Sequence, residues 1–174
     1  ANIGNVEFTD NNNGYVTVYS SVVYKTTDGG ANWTTLNTGT VEQISSLVFV
    51  NQNTGFGACI GGGVIVKTTS AGTTWQVINT GFPAESFTKI CFSDANKGYL
   101  LTYTSNILAT TNSGLNWVQQ VTGTAQLPQA IFFADANTGY IACGQGNILK
   151  TSNAGVNWIR RRYMERTGKL QKNY

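Results

Sequence analysis

The sequence predicts an all-β chain, a β-propeller whose blades are four-stranded antiparallel sheets, and three observations carry that expectation. Trp33, Trp75, Trp117 and Trp158 recur at intervals of 42, 42 and 41 residues. Gly14, Gly55, Gly98 and Gly139 recur at 41, 43 and 41, in phase with them. Between these landmarks the chain runs in short stretches rich in Val, Ile, Thr, Tyr and Phe, broken by Gly, Asn, Asp and Ser, and no stretch sustains a helical period. A period of about 40–50 residues reads as one supersecondary unit that must stack on its neighbours to bury its faces. Four short strands per period make that unit a propeller blade. The four blades are expected over about residues 1–40, 41–83, 84–126 and 127–163, with a basic, non-repeat tail over 164–174.

The third unit shows the elements in order. Phe87–Ser93 is a first strand, and Asp94–Gly98 a turn in which Asp and Asn satisfy local backbone donors and Gly is expected to supply a positive φ. Tyr99–Thr104 is a second strand, Ser105-Asn106 a tight turn and Ile107–Thr111 a third strand. A turn over Asn112-Ser-Gly114 leads into a fourth strand, Trp117–Val121. The second unit's extra residue falls in the Gly61-Gly62-Gly63 turn. On the first strands, Val6/Phe8, Leu47/Phe49, Ile90/Phe92 and Ile131/Phe133 stand two apart and share a face. The residue between them is Glu7, Val48, Cys91 or Phe132, so three of the four blades are apolar on both faces. The exception, Glu7, falls in the first unit, where one face is expected to lack a neighbour.

Each tryptophan closes one phrase: Lys25-Thr26-Thr-Asp28-Gly-Gly30-Ala-Asn-Trp33, Lys67-Thr68-Thr-Ser70-Ala-Gly72-Thr-Thr-Trp75, Ala109-Thr110-Thr-Asn112-Ser-Gly114-Leu-Asn-Trp117 and Lys150-Thr151-Ser-Asn153-Ala-Gly155-Val-Asn-Trp158. These phrases resemble the Asp-box, or bacterial neuraminidase repeat, Ser/Thr-x-Asp-x-Gly-x-Thr-Trp, with Ser70, Asn112 and Asn153 in place of the Asp. With the preceding Gly-Tyr strand, each unit is similar to the propeller repeats of the photosystem II assembly/stability factor family. The resemblance covers residues 1 to about 160. It implies a fold element in which the acid, amide or hydroxyl caps the turn between strands three and four and the Trp covers the hairpin.

Composition limits the chemistry. Residues 1–159 hold five Lys, no Arg and seven acidic residues, while six of the eleven basic residues crowd into 160–174. The repeat body is therefore not a nucleic-acid surface, and no apolar run is long enough to span a membrane. The named repeat occurs in sialidases, which are similar to one another in clamping substrate with three arginines; a body without Arg cannot do this. A glycosidase needs two facing carboxylates. With Asp10, Asp28, Asp94 and Asp135 placed in turns, Glu7, Glu42 and Glu85 remain, and Glu42 and Glu85 lie near the starts of first strands. Asp94-Ala-Asn96-Lys-Gly98 opens like a calcium loop, but position 105 is Ser where a loop would close with Glu, so an Asx turn is read instead. With no His, and with Cys59, Cys91 and Cys143 in no metal spacing, neither a metal nor a cofactor is expected, and the thiols are read as free and buried.

The leading expectation is a non-catalytic scaffold or protein-binding module, secreted or periplasmic. Low charge supports that location, 11% of residues being charged. A second copy is expected to complete an eight-bladed ring; the alternatives are further blades of a longer chain, or a closed four-bladed monomer. Carbohydrate binding through Phe82 and Tyr103 is the alternative function, and a glycoside hydrolase-like enzyme a second. The last strand reads Ile159-Arg-Arg-Arg-Tyr163, unlike its equivalents, and the tail after it, 164–174, is read as an end segment, with a basic docking arm as the functional alternative.

Overall fold

The computed structural model describes residues 3–123 and 125–162, so the non-repeat tail lies outside the described residues. It consists of sixteen strands in four antiparallel sheets, each in simple sequence order. The first sheet holds β1 (Asn5–Phe8), β2 (Gly14–Thr17), β3 (Val22–Thr26) and β4 (Thr34–Asn37). The second holds β5 (Gln43–Phe49), β6 (Gly55–Ile60), β7 (Val64–Thr68) and β8 (Gln76–Asn79). The third holds β9 (Phe87–Phe92), β10 (Gly98–Thr102), β11 (Ile107–Thr110) and β12 (Val118–Gln120), and the fourth β13 (Pro128–Phe133), β14 (Gly139–Cys143), β15 (Asn147–Thr151) and β16 (Ile159–Arg162). The first strands of successive sheets run side by side, β1 with β5, β5 with β9 and β9 with β13, so the sheets are propeller blades fanned about an inner wall.

The register brings the two sequence landmarks together. In every blade the landmark glycine pairs with a first-strand phenylalanine on one side and a third-strand threonine on the other: Phe8–Gly14–Thr26, Phe49–Gly55–Thr68, Phe92–Gly98–Thr110 and Phe133–Gly139–Thr151. These glycines do not have the positive φ expected of them. They are glycine because the phenylalanine ring lies over them: a Cβ at Gly98 would stand 2.6 Å from Phe92. Left-handed backbone is used instead at Gly61, Gly62 and Gly63, where a Cβ on Gly63 would fall 2.0 Å from the Phe82 carbonyl oxygen.

The core lies between blades rather than within them. Tyr15 and Val23 of the first blade pack with Ile44, Leu47, Cys59 and Val66 of the second. Phe56, Ala58 and Ile65 of the second pack with Phe87, Ile90, Leu100, Leu108 and Trp117 of the third. Leu101 and Ile107 of the third pack with Ile141, Cys143, Leu149 and Trp158 of the fourth. Burying apolar area at about 25 cal/mol per Å² makes these three joints the main source of stability. Ser45 ties the second joint further, its hydroxyl donating to the Phe87 carbonyl at 2.7 Å.

Among the described residues the arc does not close on itself as a four-bladed ring. Val6, Phe8 and Trp33 stay exposed on the outer face of the first blade, and Phe132 and Tyr140 on that of the fourth. Glu7 also differs from expectation. It does not mark the uncovered face but points at the second blade, where its carboxylate accepts the Phe49 backbone N–H. The uncovered face is the apolar one bearing Val6 and Phe8, because Phe8 belongs to the series that turns toward the preceding blade.

Candidate functional site

The four tryptophan turns are built alike. The buried hydroxyls of Thr26, Thr68, Thr110 and Thr151 accept the N–H of Gly30, Gly72, Gly114 and Gly155 at 2.9, 3.0, 3.1 and 2.9 Å. The side chains of Asp28, Ser70, Asn112 and Asn153 accept the backbone N–H just before each tryptophan at 2.9, 2.9, 3.0 and 2.9 Å. An acceptor is all that position requires, which explains why Asp, Ser and Asn exchange there. The Asn32 backbone and side-chain donors, with Thr26, hold the Asp28 carboxyl down at about 2. Trp33 and Trp117 donate Nε1–H to the Gly30 and Gly114 carbonyls at 3.0 and 3.1 Å. The Trp75 and Trp158 Nε1 atoms are buried without an acceptor among the described residues.

These turns face the preceding blade. Tyr15 donates its hydroxyl to the Ala71 carbonyl at 3.0 Å, and Lys25 Nζ donates to the same oxygen at 2.8 Å. Lys67 donates to the Ser113 carbonyl and Tyr99 to that of Ala154, both at 2.8 Å. Beside each bond a landmark aromatic stacks on the next blade's phenylalanine: Tyr15 on Phe49, Phe56 on Phe92 and Tyr99 on Phe133, with centroids 4.1, 4.2 and 4.3 Å apart. The turn residues thus form the joints between blades.

The acidic side chains are engaged singly. The carboxylates of Asp10, Asp94 and Asp135 accept successive backbone N–H groups of their own turns. Glu42 lies against the Gly61-Gly62 turn, where a Cβ on Gly61 would stand 2.6 Å from its Oε2. Glu85 accepts the Thr104 hydroxyl and the Asn106 side-chain N–H, the latter at 2.6 Å. Among the described residues no group of three acidic or thiol side chains is placed to hold a metal. The thiols of Cys59, Cys91 and Cys143 are free, and burial, with the Glu42 charge nearby, pushes Cys59 up to about 12. No helix among the described residues is long and apolar enough to cross a membrane.

Of the two aromatic residues singled out for ligand contact, Tyr103 is exposed, while Phe82 packs in part against the core between the second and third blades. Neither lines the cleft of about 770 Å³ that opens on the third blade, between the β10–β11 turn and the connector after β12. Thr104, Ser105, Asn106, Gln119 and Gln120 line it with neutral hydrogen-bonding groups. Gln119 Nε2 donates to Asn106 Oδ1 at 2.7 Å, which couples the outer strand to the Glu85 network. Val121 stands at the rim, 87% exposed. The connector itself keeps the repeat, Thr122-Gly123 matching Thr38-Gly39 and Thr80-Gly81, so the sequence does not set it apart; the polar run Gln119-Gln120 was the available signal.

The sequence model of the family described as photosynthesis system II assembly factor YCF48 matches residues 1–127, and the chain belongs to that family. No curated protein sequence matches the chain. Among solved structures, YCF48 bound to D1 peptide is similar with a TM-score of 0.75 and 18% identity, over 95% of this chain and 55% of that one. YCF48 from Cyanidioschyzon merolae gives 0.69 and 15%, over 94% and 57%. The GH74 xyloglucanase from Xanthomonas campestris gives 0.72 and 14%, over 90% of this chain and 30% of that one. At these identities the likenesses show the fold alone, and the chain spans little more than half the length of the YCF48 structures.

Proposed function

From that family membership we propose that the chain is a non-catalytic propeller scaffold that binds a protein partner through an extended peptide segment at the cleft of the third blade. The observation that carries this reading is the lining: neutral hydroxyls and amides beside an exposed valine suit peptide backbone and one apolar side chain. The similar YCF48 structure holds a peptide. The four turns are read as Asp-boxes with a purely structural role. Against a hydrolase stands the commitment of Glu85 to Thr104 and Asn106 and of the aspartates to their turns. We place the protein in a secreted or periplasmic setting on its low charge, and fractionating the producing cells tests that placement.

The experiment is to probe the purified chain against an array of unstructured peptides and, in parallel, a glycan array and soluble xyloglucan. Capture of peptides, lowered at least tenfold by Val121→Asp and by Gln119→Ala, is the expected result. Retention of glycans without peptides, or xyloglucan cleavage lost in Glu85→Gln, overturns it.

A further inference from the structure

In three of the four blades the residue paired across the sheet from the landmark aromatic is a lysine: Lys25 beside Tyr15, Lys67 beside Phe56 and Lys150 beside Tyr140. Each holds its Nζ over that ring, 5.5, 5.1 and 5.5 Å from the centroid. Lys25 and Lys67 also reach across a joint and donate to a turn carbonyl of the next blade, Ala71 and Ser113, each at 2.8 Å. Neither has an ion-pair partner among the described residues. A ring face and one carbonyl therefore suffice to hold an ammonium at this place.

The third blade breaks the pattern: Ala109 stands beside Tyr99 where the others have lysine. The rest of the site is kept. Tyr99 stacks on Phe133 as Tyr15 does on Phe49, and donates its hydroxyl to the Ala154 carbonyl as Tyr15 does to that of Ala71. The Ala71 carbonyl receives two donors, Tyr15 and Lys25, whereas among the described residues that of Ala154 receives the tyrosine alone. A cavity of about 420 Å³ opens here, between the third and fourth blades, with Tyr99, Ala109 and Ala154 on its wall. Lys97, also on the wall, lies 3.9 Å from the Asp94 carboxylate, which offsets its charge. Gln120 lines both this cavity and the larger cleft of the third blade, so the two adjoin.

Resting on the peptide reading above, we infer that this cavity receives the ammonium group of a lysine carried by the bound segment. The incoming ammonium takes the place that Lys25 and Lys67 fill from within the chain, over the Tyr99 ring and donating to the Ala154 carbonyl. Lysine suits the place better than arginine. A compact ammonium on a flexible stem can serve a single carbonyl, whereas a planar guanidinium is matched to paired acceptors. The small side chain of Ala109 leaves the room that the stem needs, and a segment lying in the cleft enters past Gln120.

The test fills the cavity from outside and then from within. The probe is n-butylammonium, the lysine side chain without its backbone, titrated at constant ionic strength and followed by NMR at the Gly155 amide, whose peptide carries the Ala154 carbonyl. A saturating shift is expected, absent with n-butanol. Ala109→Lys restores the residue that the other three blades use at this position, so the fold is retained, and it is expected to weaken the n-butylammonium response at least tenfold. Peptides captured by the unmodified chain are expected to lose at least tenfold in affinity when their lysines are replaced by norleucine, and as much against Ala109→Lys. No saturating shift, an equal shift with n-butanol, or a response that survives in Ala109→Lys overturns the inference. Peptide capture indifferent to lysine overturns it too, while leaving the peptide reading in place. An n-butylammonium response without capture of any peptide supports the ammonium site and sinks the peptide reading instead.

Discussion

Trp33 and Trp117 occupy the same phrase, fold into the same turn and donate the same indole hydrogen bond, yet Trp33 is 38% exposed and Trp117 6%. The difference is the blade in front. Gly114 lies against Phe56 and Ile65 of the second blade, whereas a Cβ at Gly30 would meet only its own Trp33. The turn is therefore a local structure that forms from its own side chains, and its burial is a property of stacking. Replacing each tryptophan separates the two contributions. Trp117→Ala is expected to cost about 3–5 kcal/mol of unfolding free energy, the range for deleting a large buried aromatic. Trp33→Ala in the single chain is expected to cost less than half of that. Equal losses in urea titrations would mean that the turn, not the joint, holds most of the energy.

The landmark glycines sharpen the same contrast. Gly14 and Gly98 both lie under a phenylalanine, and a Cβ at either would stand 2.6 Å from the ring. Phe92 is clamped between Phe56 and Trp117, while Phe8 faces solvent on its other side. Gly98→Ala is expected to destabilise by about 1–3 kcal/mol, the cost of overpacking. Gly14→Ala should cost clearly less, because Phe8 has room to swing away. Comparable melting temperatures for the two variants would show that the open face is not open in solution. Tyr99→Phe then isolates the polar part of one joint: losing the donor to the Ala154 carbonyl is expected to cost about 0.5–1.5 kcal/mol in the same assay.

The strand order, the blade count and the turn positions were legible because each is written four times in the sequence with one period. What the repeat hid was the reason for its invariants. The Phe–Gly–Thr rung requires the antiparallel register, which puts Phe92 and Thr110 on either side of Gly98; spacing alone suggested a turn glycine instead. The third-blade cleft was not legible, since it depends on how the connector after β12 lies against Ser105. Which face of the first blade stays bare was misread from Glu7, a single polar residue in an apolar column. The direction a strand face points is a property of the stack, and one blade's sequence does not encode it.

Glu7 supplies the smallest of the expected effects and the one that tests the blade's orientation directly. Its side chain is half-buried against the second blade, and that burial raises its carboxyl above the ordinary 4.5, only partly offset by the Phe49 N–H. A carboxyl raised in the folded state binds more protons folded than unfolded. Its ionisation therefore removes stability as pH rises through the unfolded value, with no further loss above the folded one. Glu7→Gln, which keeps an acceptor for the Phe49 N–H, is expected to raise the melting temperature at pH 7 and leave it unchanged at pH 3. Asp28 runs the opposite way: held at about 2, it contributes stability above its ordinary 3.8 that is lost as pH falls toward 2. Asp28→Asn keeps the acceptor that Asn112 and Asn153 supply elsewhere, so it should cost only a little stability at pH 7, and that difference should vanish as pH falls toward 2. A Glu7→Gln chain that gains nothing at pH 7 would place that side chain in water, on the outer face, and would reverse the assignment of Val6 and Phe8 to the bare side of the first blade.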